Sequence, residues 1–406
     1  MQFSEVIGHK EIKEQLAQMV QHNRLSHALL FLGKEGGGGL PLALAFTQYI
    51  VCMSGKKTKD QGPSLFGEPE PAKEEALPMD SCGVCPACIK AAKLIHPDIH
   101  YSYPVVPDKA GEKPISADYI TQWREFVSGY PYGNEYDWLQ FIGAENKQGN
   151  ITARECNEIN NKLSLKAFEG DYKILVMWMP EKLGKEGNKL LKLIEEPPPD
   201  TLFILVAENE EAILPTIVSR TQLVKIPSYS NKDIEEALIQ RAKVSPERAV
   251  QVAAVSEGNY REALQMLQHA EEDWQEMARE WLKYISRQMV AEQVKWIEEI
   301  AKLGREKQKQ FLRYFIHLID QAVRVNVIEE PILQEGPAAW QIPEKERDFA
   351  LRLNQLCSME AQEAIANELN KAIYYIERNA HPKLLFHALS IRLYYIIKEN
   401  TLILVN

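Results

Sequence analysis

A glycine-rich turn between an apolar run and a helix-like segment is the feature that most limits how this chain can fold. The turn reads GKEGGGGLP over Gly33–Pro41, after the apolar run His27–Leu32 and before the apolar segment Leu42–Phe46. A strand, a glycine loop and a helix in this order form the phosphate-binding loop of nucleotide-binding proteins. The nucleotide-binding version, G-x-x-x-x-G-K-[ST], needs a Lys for the phosphates and a Ser or Thr for Mg²⁺.

The two side chains that would contact a nucleotide are absent from this turn. Gly33 and Gly38 occupy the glycine positions of the pattern, while Gly39 and Leu40 stand where Lys and Ser/Thr are required. Backbone N–H groups at Gly33, Gly36, Gly38 and Gly39 still offer a cradle for an anion, so weak nucleotide binding remains an alternative. We therefore expect the turn to serve the fold, with ATP not bound or not hydrolysed.

Composition narrows the class of protein. A length of 406 residues predicts two to four domains. No run approaches the ~18 apolar residues of a membrane span, and the N-terminus lacks the pattern of a signal peptide. A net charge of −10 argues against a large basic face for DNA, and six cysteines are too few for a disulfide scaffold. We expect a cytoplasmic protein that makes no membrane contact.

Two continuous apolar runs, Lys173–Met179 and Thr201–Ala207, have the composition of buried parallel strands. A helical segment separates them and ends at Pro197. Because strands alternate with helices, residues 1–228 are predicted to form an α/β domain with a parallel sheet. Residues 231–275 are predicted to form three short helices, and helical periodicity continues beyond about residue 280.

Three segments look like insertions or connections. Residues 54–80 have the composition of a loop or a disordered insertion, and residues 330–345 that of a loop between helices. Residues 101–148 are rich in Pro, Tyr and Gly. Their Tyr130–Trp138 portion is either a partner-binding surface or an ordered insertion that packs on its own core, and we favour the second.

Three cysteines at C-x₂-C-x₂-C spacing, Cys82, Cys85 and Cys88, indicate a structural zinc site, which needs four ligands. Cys52 is the expected fourth ligand and His96 the reserve candidate, which gives a zinc module over 52–88. The remaining cysteines, Cys156 and Cys357, are expected to be small buried residues.

Several motifs occur in an order that resembles one family. They are FSEVIGHKEI, SHALLFLGKEGG, the cysteine cluster, NKLLKLIEEPPPDTLFILVAE, TIVSRT and GNYREAL. Together they resemble the AAA+ clamp-loader subunits of bacterial DNA polymerase III, most closely the delta-prime branch rather than the gamma/tau motor subunits. The resemblance covers about 230 residues well and the helical part more weakly. It implies a small helical lid domain at 229–278 and a helical C-terminal oligomerisation (collar) domain at 279–406.

The resemblance also implies that this subunit does not hydrolyse ATP. In active members the strand that corresponds to residues 174–177 ends in an Asp-Glu pair that holds Mg²⁺ and orients water. Trp178 and Met179 occupy those positions here, and neither can coordinate a cation. The sensor-like polar residue after the next strand would lie near Glu208 or Asn209, and a carboxylate there would repel a γ-phosphate. These departures add to those at Gly39 and Leu40.

One catalytic element of the family is retained. Ser219-Arg220 matches the family's S-R-C motif with Thr221 in place of Cys, which implies that Arg220 is an arginine finger presented to ATP on a neighbouring subunit. Arg261 lies at the position of the family's second sensor arginine. Without a γ-phosphate in its own site, we expect it to form a structural salt bridge or to be a relic.

The function implied is that of a non-catalytic clamp-loader subunit of the DNA polymerase III holoenzyme. Such a subunit would assemble with gamma/tau and delta subunits and help load the sliding clamp onto primed DNA during replication. Two alternatives remain: an active or weakly active AAA+ ATPase motor subunit, and a zinc-dependent nucleic-acid-binding module. The acidic charge balance counts against the second.

Overall fold

The computed structural model describes residues 1–53, 78–107, 113–144, 147–268, 274–327, 342, 344–378 and 380–399. The insertion expected at 54–80 and the connection expected at 330–345 lie almost entirely outside the described residues. The chain separates into two compact units: residues 1–245 with 256–264, and residues 246–255 with 265–406. The division at residues 228 and 278 stays a prediction.

The first unit contains a parallel sheet whose strand order is β2-β3-β4-β1-β5. The strands are β1 Ala28–Gly33, β2 Ile99–Ser102, β3 Lys173–Trp178, β4 Thr201–Ala207 and β5 Gln222–Ile226. The helices of this part of the chain are α1 Lys10–Gln21, α2 Gly39–Val51, α3 Pro86–Ala92, α4 Ile120–Gly129, α5 Glu135–Phe141, α6 Ala153–Ser164, α7 Asn188–Glu195, α8 Pro215–Val218 and α9 Asn231–Arg241. The predicted α/β fold with a parallel sheet is confirmed.

Side chains on the central strands alternate between two apolar cores, one on each face of the sheet. In β1, Leu29 and Phe31 enter the core shared with α1 and α2. Ala28 and Leu30 enter the core shared with α6 and α7. Successive residues of a strand point to opposite faces, so an uninterrupted apolar run requires helices on both sides.

The two outer strands, β2 and β5, were not predicted. β2 is only four residues long, and in β5 only Val224 and Ile226 are buried. Edge strands cover less apolar surface than central ones, so their sequences lack the continuous apolar run that marks β3 and β4.

The described residues of the predicted insertion at 101–148 pack on the protein's own core. Trp123 and Trp138 are 1% and 0% exposed and meet edge to face, with ring centroids 5.4 Å apart. The Trp123 ring lies 5.3 Å from that of Trp178 at the end of β3. Of the two interpretations of Tyr130–Trp138, core packing is therefore the one seen, although Tyr130 itself is exposed. Trp178, at the end of β3, anchors the inserted helices.

The rest of the described chain is helical, as predicted. Its helices are α10 Pro246–Val255, α11 Tyr260–Gln268, α12 Trp274–Ser286, α13 Val290–Lys302, α14 Arg305–Val327, α15 Glu344–Leu356, α16 Met359–Glu377 and α17 Pro382–Glu399. The second unit has its own core, in which Trp281 stacks on Trp296 at 4.7 Å. Across the described residues, none of the helices combines the length and apolar character that a bilayer span requires.

Candidate functional site

The glycine loop makes a tight turn from β1 into α2. Gly36 and Gly38 have φ angles of +69° and +84°. This left-handed conformation suits glycine because it has no side chain to clash with the backbone. The Gly37 N–H donates to the Lys34 carbonyl at 3.0 Å and closes the turn. The backbone therefore forms a tight, hydrogen-bonded turn from strand into helix.

Positions 39 and 40 contribute to helix packing. A side-chain carbon on Gly39 would lie 3.2 Å from Val206 Cγ1 on β4, so α2 approaches the sheet closely there. Leu40 is 4% exposed and belongs to the apolar core. A Lys and a Ser or Thr at these positions would be the nucleotide ligands. Here Gly39 has no side chain and so allows α2 to approach the sheet closely, and the apolar side chain of Leu40 packs in the core.

The mouth of the loop is occupied by side chains of the same chain. A carbon added to Gly36 would lie 1.8 Å from Asn259 Oδ1, and one added to Gly38 would lie 1.9 Å from the Tyr229 hydroxyl. The Tyr229 ring stacks on His9 at 4.6 Å. Burial raises the pKa of Tyr229. The side chains of Asn259 and Tyr229 therefore occupy the space next to the loop glycines.

Arg261, at the start of α11, forms ion pairs with two carboxylates at this mouth. Its side chain is 4% exposed. Nε and Nη2 donate to the two oxygens of Asp137 at 2.5 and 2.7 Å, and Nη1 donates to Glu35 Oε1 at 2.9 Å. Asp137 belongs to the insertion and Glu35 to the glycine loop, so Arg261 connects the two.

The end of β3 carries no acid pair for a cation. Trp178 and Met179 are 3% and 5% exposed. The nearby carboxylate of Glu181 accepts the backbone N–H groups of Glu208 and Asn209 at 2.6 and 2.9 Å. Glu181 is therefore engaged in fixing the segment that follows β4.

Several carboxyl groups lie close together at the C-terminal ends of β3 and β4. Burial raises the pKa of Glu208 well above its ordinary value, and the charges of Glu35 and Glu181 raise it further. Burial also raises the pKa of Glu181, against the N–H groups that it accepts. A polyphosphate placed beside these carboxyl groups would be electrostatically unfavourable.

Arg220 lies just after α8 and is 34% exposed. It forms an ion pair with Glu195, the last residue of α7, through Nε and Nη2. Its Nη1 donates to the Thr216 carbonyl at 2.8 Å and to Ser219 Oγ at 3.2 Å. Ser219 thus helps to orient the guanidinium, and the Thr221 hydroxyl caps the turn by donating to the Val218 carbonyl at 3.0 Å.

The four cysteines predicted as zinc ligands lie together. The sulfur atoms of Cys52, Cys82, Cys85 and Cys88 are all within 4.8 Å of one another. A zinc ion held tetrahedrally at 2.3 Å needs sulfur atoms about 3.8 Å apart, and those of Cys82 and Cys88 are 3.9 Å apart. The donor set fits a structural metal. Hydrogen bonds from the backbone N–H groups of Cys85 and Val84 lower the pKa of Cys82 to about 6, whereas burial raises the pKa of Cys88.

The reserve ligand, His96, lies elsewhere. Its Nε2 is 3.3 Å from Glu169, and its Nδ1 is 3.2 Å from the backbone nitrogen of Asp98. The Asp98 carboxylate in turn accepts the N–H groups of residues 168–170. His96 therefore belongs to a structural network, and the geometry groups Cys52 with the other three cysteines.

Sequence reasoning missed the partners of the two arginines. Asp137 and Glu195 are separated from Arg261 and Arg220 by 124 and 25 residues. One signal was available: a Glu within a phosphate-binding loop, as at position 35, would repel a nucleotide and calls for a cationic partner.

A family model described as "DNA polymerase III, delta subunit" matches residues 8–230. The DNA polymerase III subunit delta' of Bacillus subtilis (strain 168) is 26% identical over 257 residues, covering 63% of this chain and 58% of the relative. The Escherichia coli (strain K12) subunit delta' is 24% identical over 317 residues, covering 77% of this chain and 74% of the relative.

A gamma/tau subunit gives a shorter match. The DNA polymerase III subunit gamma/tau of Mycobacterium bovis is 24% identical over 220 residues, covering 54% of this chain and 27% of the relative. The chain thus spans little more than half of the Bacillus subtilis relative and about a quarter of the gamma/tau relative. The two delta' relatives match over larger shares of their own length.

Proposed function

This chain belongs to the DNA polymerase III, delta subunit family, and from that membership we propose that it is a non-catalytic, delta-prime-type subunit of the clamp loader. It assembles with gamma/tau and delta subunits, presents Arg220 to ATP bound by a neighbour, and helps load the sliding clamp onto primed DNA in the cytoplasm. Its part in DNA polymerase activity is that of a holoenzyme component. The lid and collar divisions at 229–278 and 279–406 belong to this proposal.

The main support for a non-catalytic role is that the glycine loop lacks the side chains that bind a nucleotide. Gly39 and Leu40 offer neither an ammonium nor a hydroxyl group, and Leu40 is buried in the core. Trp178 and Met179 replace the pair that would hold Mg²⁺. Arg261, which would face a γ-phosphate, is paired with carboxylates instead. Phosphoryl transfer depends on positioned cations around the phosphates, so this site is not expected to hydrolyse ATP.

The exposure and ion pairing of Arg220 support its proposed role as an arginine finger for a neighbouring subunit. It is partly exposed, and its charge is held by a surface carboxylate rather than buried in a core. An arginine finger neutralises charge on the transferred phosphoryl group and is worth about 10³- to 10⁵-fold in rate in GTPases. Ser219 orients the guanidinium, so the pair acts as one element.

Cys52, Cys82, Cys85 and Cys88 hold a structural zinc ion in this proposal. Cys52 ends α2, while Cys85 caps the N-terminus of α3. When bound, zinc supplies a cross-link between these two helices and takes no part in catalysis. The cysteine side chains fix the segment that precedes the second strand of the sheet.

The test is an ATPase assay of a loader reconstituted from gamma/tau, delta and this chain, with clamp and primed DNA. We expect no turnover by this chain alone. Replacing wild type with Arg220→Ala should remove the hydrolysis that this chain adds to the complex. Arg154→Ala, at another exposed arginine, serves as the matched control and should leave the rate unchanged. Turnover by the isolated chain, or full activity with Arg220→Ala, would contradict the proposal.

A further inference from the structure

The buried Arg261 needs a permanent negative partner. With its side chain 4% exposed, the guanidinium has little access to water. A buried charge is strongly destabilising when it is left without a partner. The bidentate contact with Asp137 has the fork geometry that a guanidinium also makes with a phosphate group.

Contacts of α5 and of its cap fix the position of Asp137 independently of Arg261. It occupies the first turn of α5, where its backbone N–H donates to Asn134 Oδ1 at 3.0 Å and its carboxylate accepts the Asn134 N–H at 3.2 Å. The next residue, Trp138, is fully buried and donates to the Pro104 carbonyl at 2.7 Å. On the other side, Glu135 pairs with Lys182 at 2.6 Å. The carboxylate therefore sits on a rigid element.

The same inserted segment covers the glycine loop beside Arg261. The Tyr132 hydroxyl accepts the Ile7 N–H at 3.1 Å and lies 3.2 Å from Arg241 Nη1. The Tyr132 ring packs edge to face on Tyr260, 5.0 Å between centroids. The Tyr260 N–H in turn donates to the Gly36 carbonyl at 3.3 Å. Insertion, start of α11 and loop form one continuous set of contacts.

We infer that residues 130–141 are an internal ligand of the glycine loop, in which the Asp137 carboxylate takes the place of a bound anion and holds Arg261 against the loop without any nucleotide. Glu35 completes the arrangement from within the loop. The inference goes beyond the proposed function, because it concerns this chain alone and holds whether or not Arg220 acts on a neighbour.

Hydrogen–deuterium exchange of the full chain tests this, followed in peptides that cover residues 33–40 and 135–141. Asp137→Asn keeps the shape of the side chain and removes its charge. We expect exchange at 33–40 to become at least about tenfold faster, because Arg261 is no longer fixed by Asp137 and its ion pair with Glu35 then restrains the loop less. The control Glu125→Gln removes an exposed carboxylate from the neighbouring helix α4 and should leave exchange at 33–40 unchanged.

Chemical rescue provides the second measurement. Asp137→Ala leaves a space the size of a carboxyl group next to Arg261. At about twice its dissociation constant, formate should slow exchange at 33–40 in this variant about threefold relative to chloride at equal ionic strength. Wild type should not respond. Unchanged exchange at 33–40 in Asp137→Asn, or an equal formate response in wild type, would overturn the inference.

Discussion

Glu195 at the end of α7 holds the guanidinium of Arg220 through both Nε and Nη2, in a surface ion pair whose members are 44% and 34% exposed. The remaining terminal nitrogen, Nη1, is bound to Thr216 and Ser219. If Arg220 is the finger that we propose, it has to exchange Glu195 for a neighbour's phosphate. Glu195 therefore competes with the nucleotide for this arginine.

We expect Glu195→Gln to increase the ATP hydrolysis that this chain adds to a reconstituted loader. Exposed ion pairs contribute about 0–1 kcal/mol, so the increase should be up to about fivefold and smaller at high salt. Glu196→Gln, at the adjacent exposed position, is the control. A decrease with Glu195→Gln would instead mean that Glu195 orients the finger.

Zinc should stabilise the first unit and be present at one ion per chain. Cys85→Ser is expected to lose the metal, whereas Cys156→Ser, at an isolated buried cysteine, should retain it. With zinc at about 1,000 times its dissociation constant, the lost stabilisation is about 4 kcal/mol. Elemental analysis combined with thermal unfolding, with and without a chelator, checks this. Zinc retained at full occupancy in Cys85→Ser would contradict the four-cysteine site.

Local patterns were sufficient for the centre of the fold. The apolar runs of β3 and β4 predicted a parallel sheet because strands covered on both faces leave no polar positions. Cys52 was predicted as the fourth ligand because it lies at the end of the helix that precedes the other three cysteines. The motif order predicted the delta-prime resemblance, and the relatives confirm it.

The contacts that decide the chemistry of the site could not be predicted in this way. Arg261 and Asp137 are brought together by an insertion that packs against Trp178, and neither residue carries a local signal of the other. The same holds for Arg220 and Glu195, which lie on separate helical segments. Side-chain pairs between distant segments depend on the assembled core rather than on periodicity.

The raised pKa of Glu208 predicts a specific dependence of stability on pH. A carboxyl group whose pKa in the folded state lies above its ordinary value of 4.5 binds a proton more tightly when folded. Its contribution is therefore complete below about pH 4.5 and is lost as the pH rises through the folded-state pKa. We expect wild type to lose stability relative to Glu208→Gln as the pH is raised above about 4.5. Thermal unfolding at a series of pH values from 4.5 upward measures this loss, with the exposed Glu210→Gln as control. Parallel stability curves for wild type and Glu208→Gln would contradict the prediction.

Restoring the missing nucleotide ligands should not restore an ATPase. In the double variant Gly39→Lys and Leu40→Thr, Leu40→Thr removes a buried apolar side chain and buries a hydroxyl, at a cost of about 2–3 kcal/mol. The carbon added at position 39 meets Val206 Cγ1 at 3.2 Å. The mouth of the loop would still be covered by Tyr229 and Asn259. We expect a lower unfolding temperature and no ATP turnover with Mg²⁺, because the new ammonium has no open phosphate site to reach; turnover by the double variant would show that the mouth opens readily.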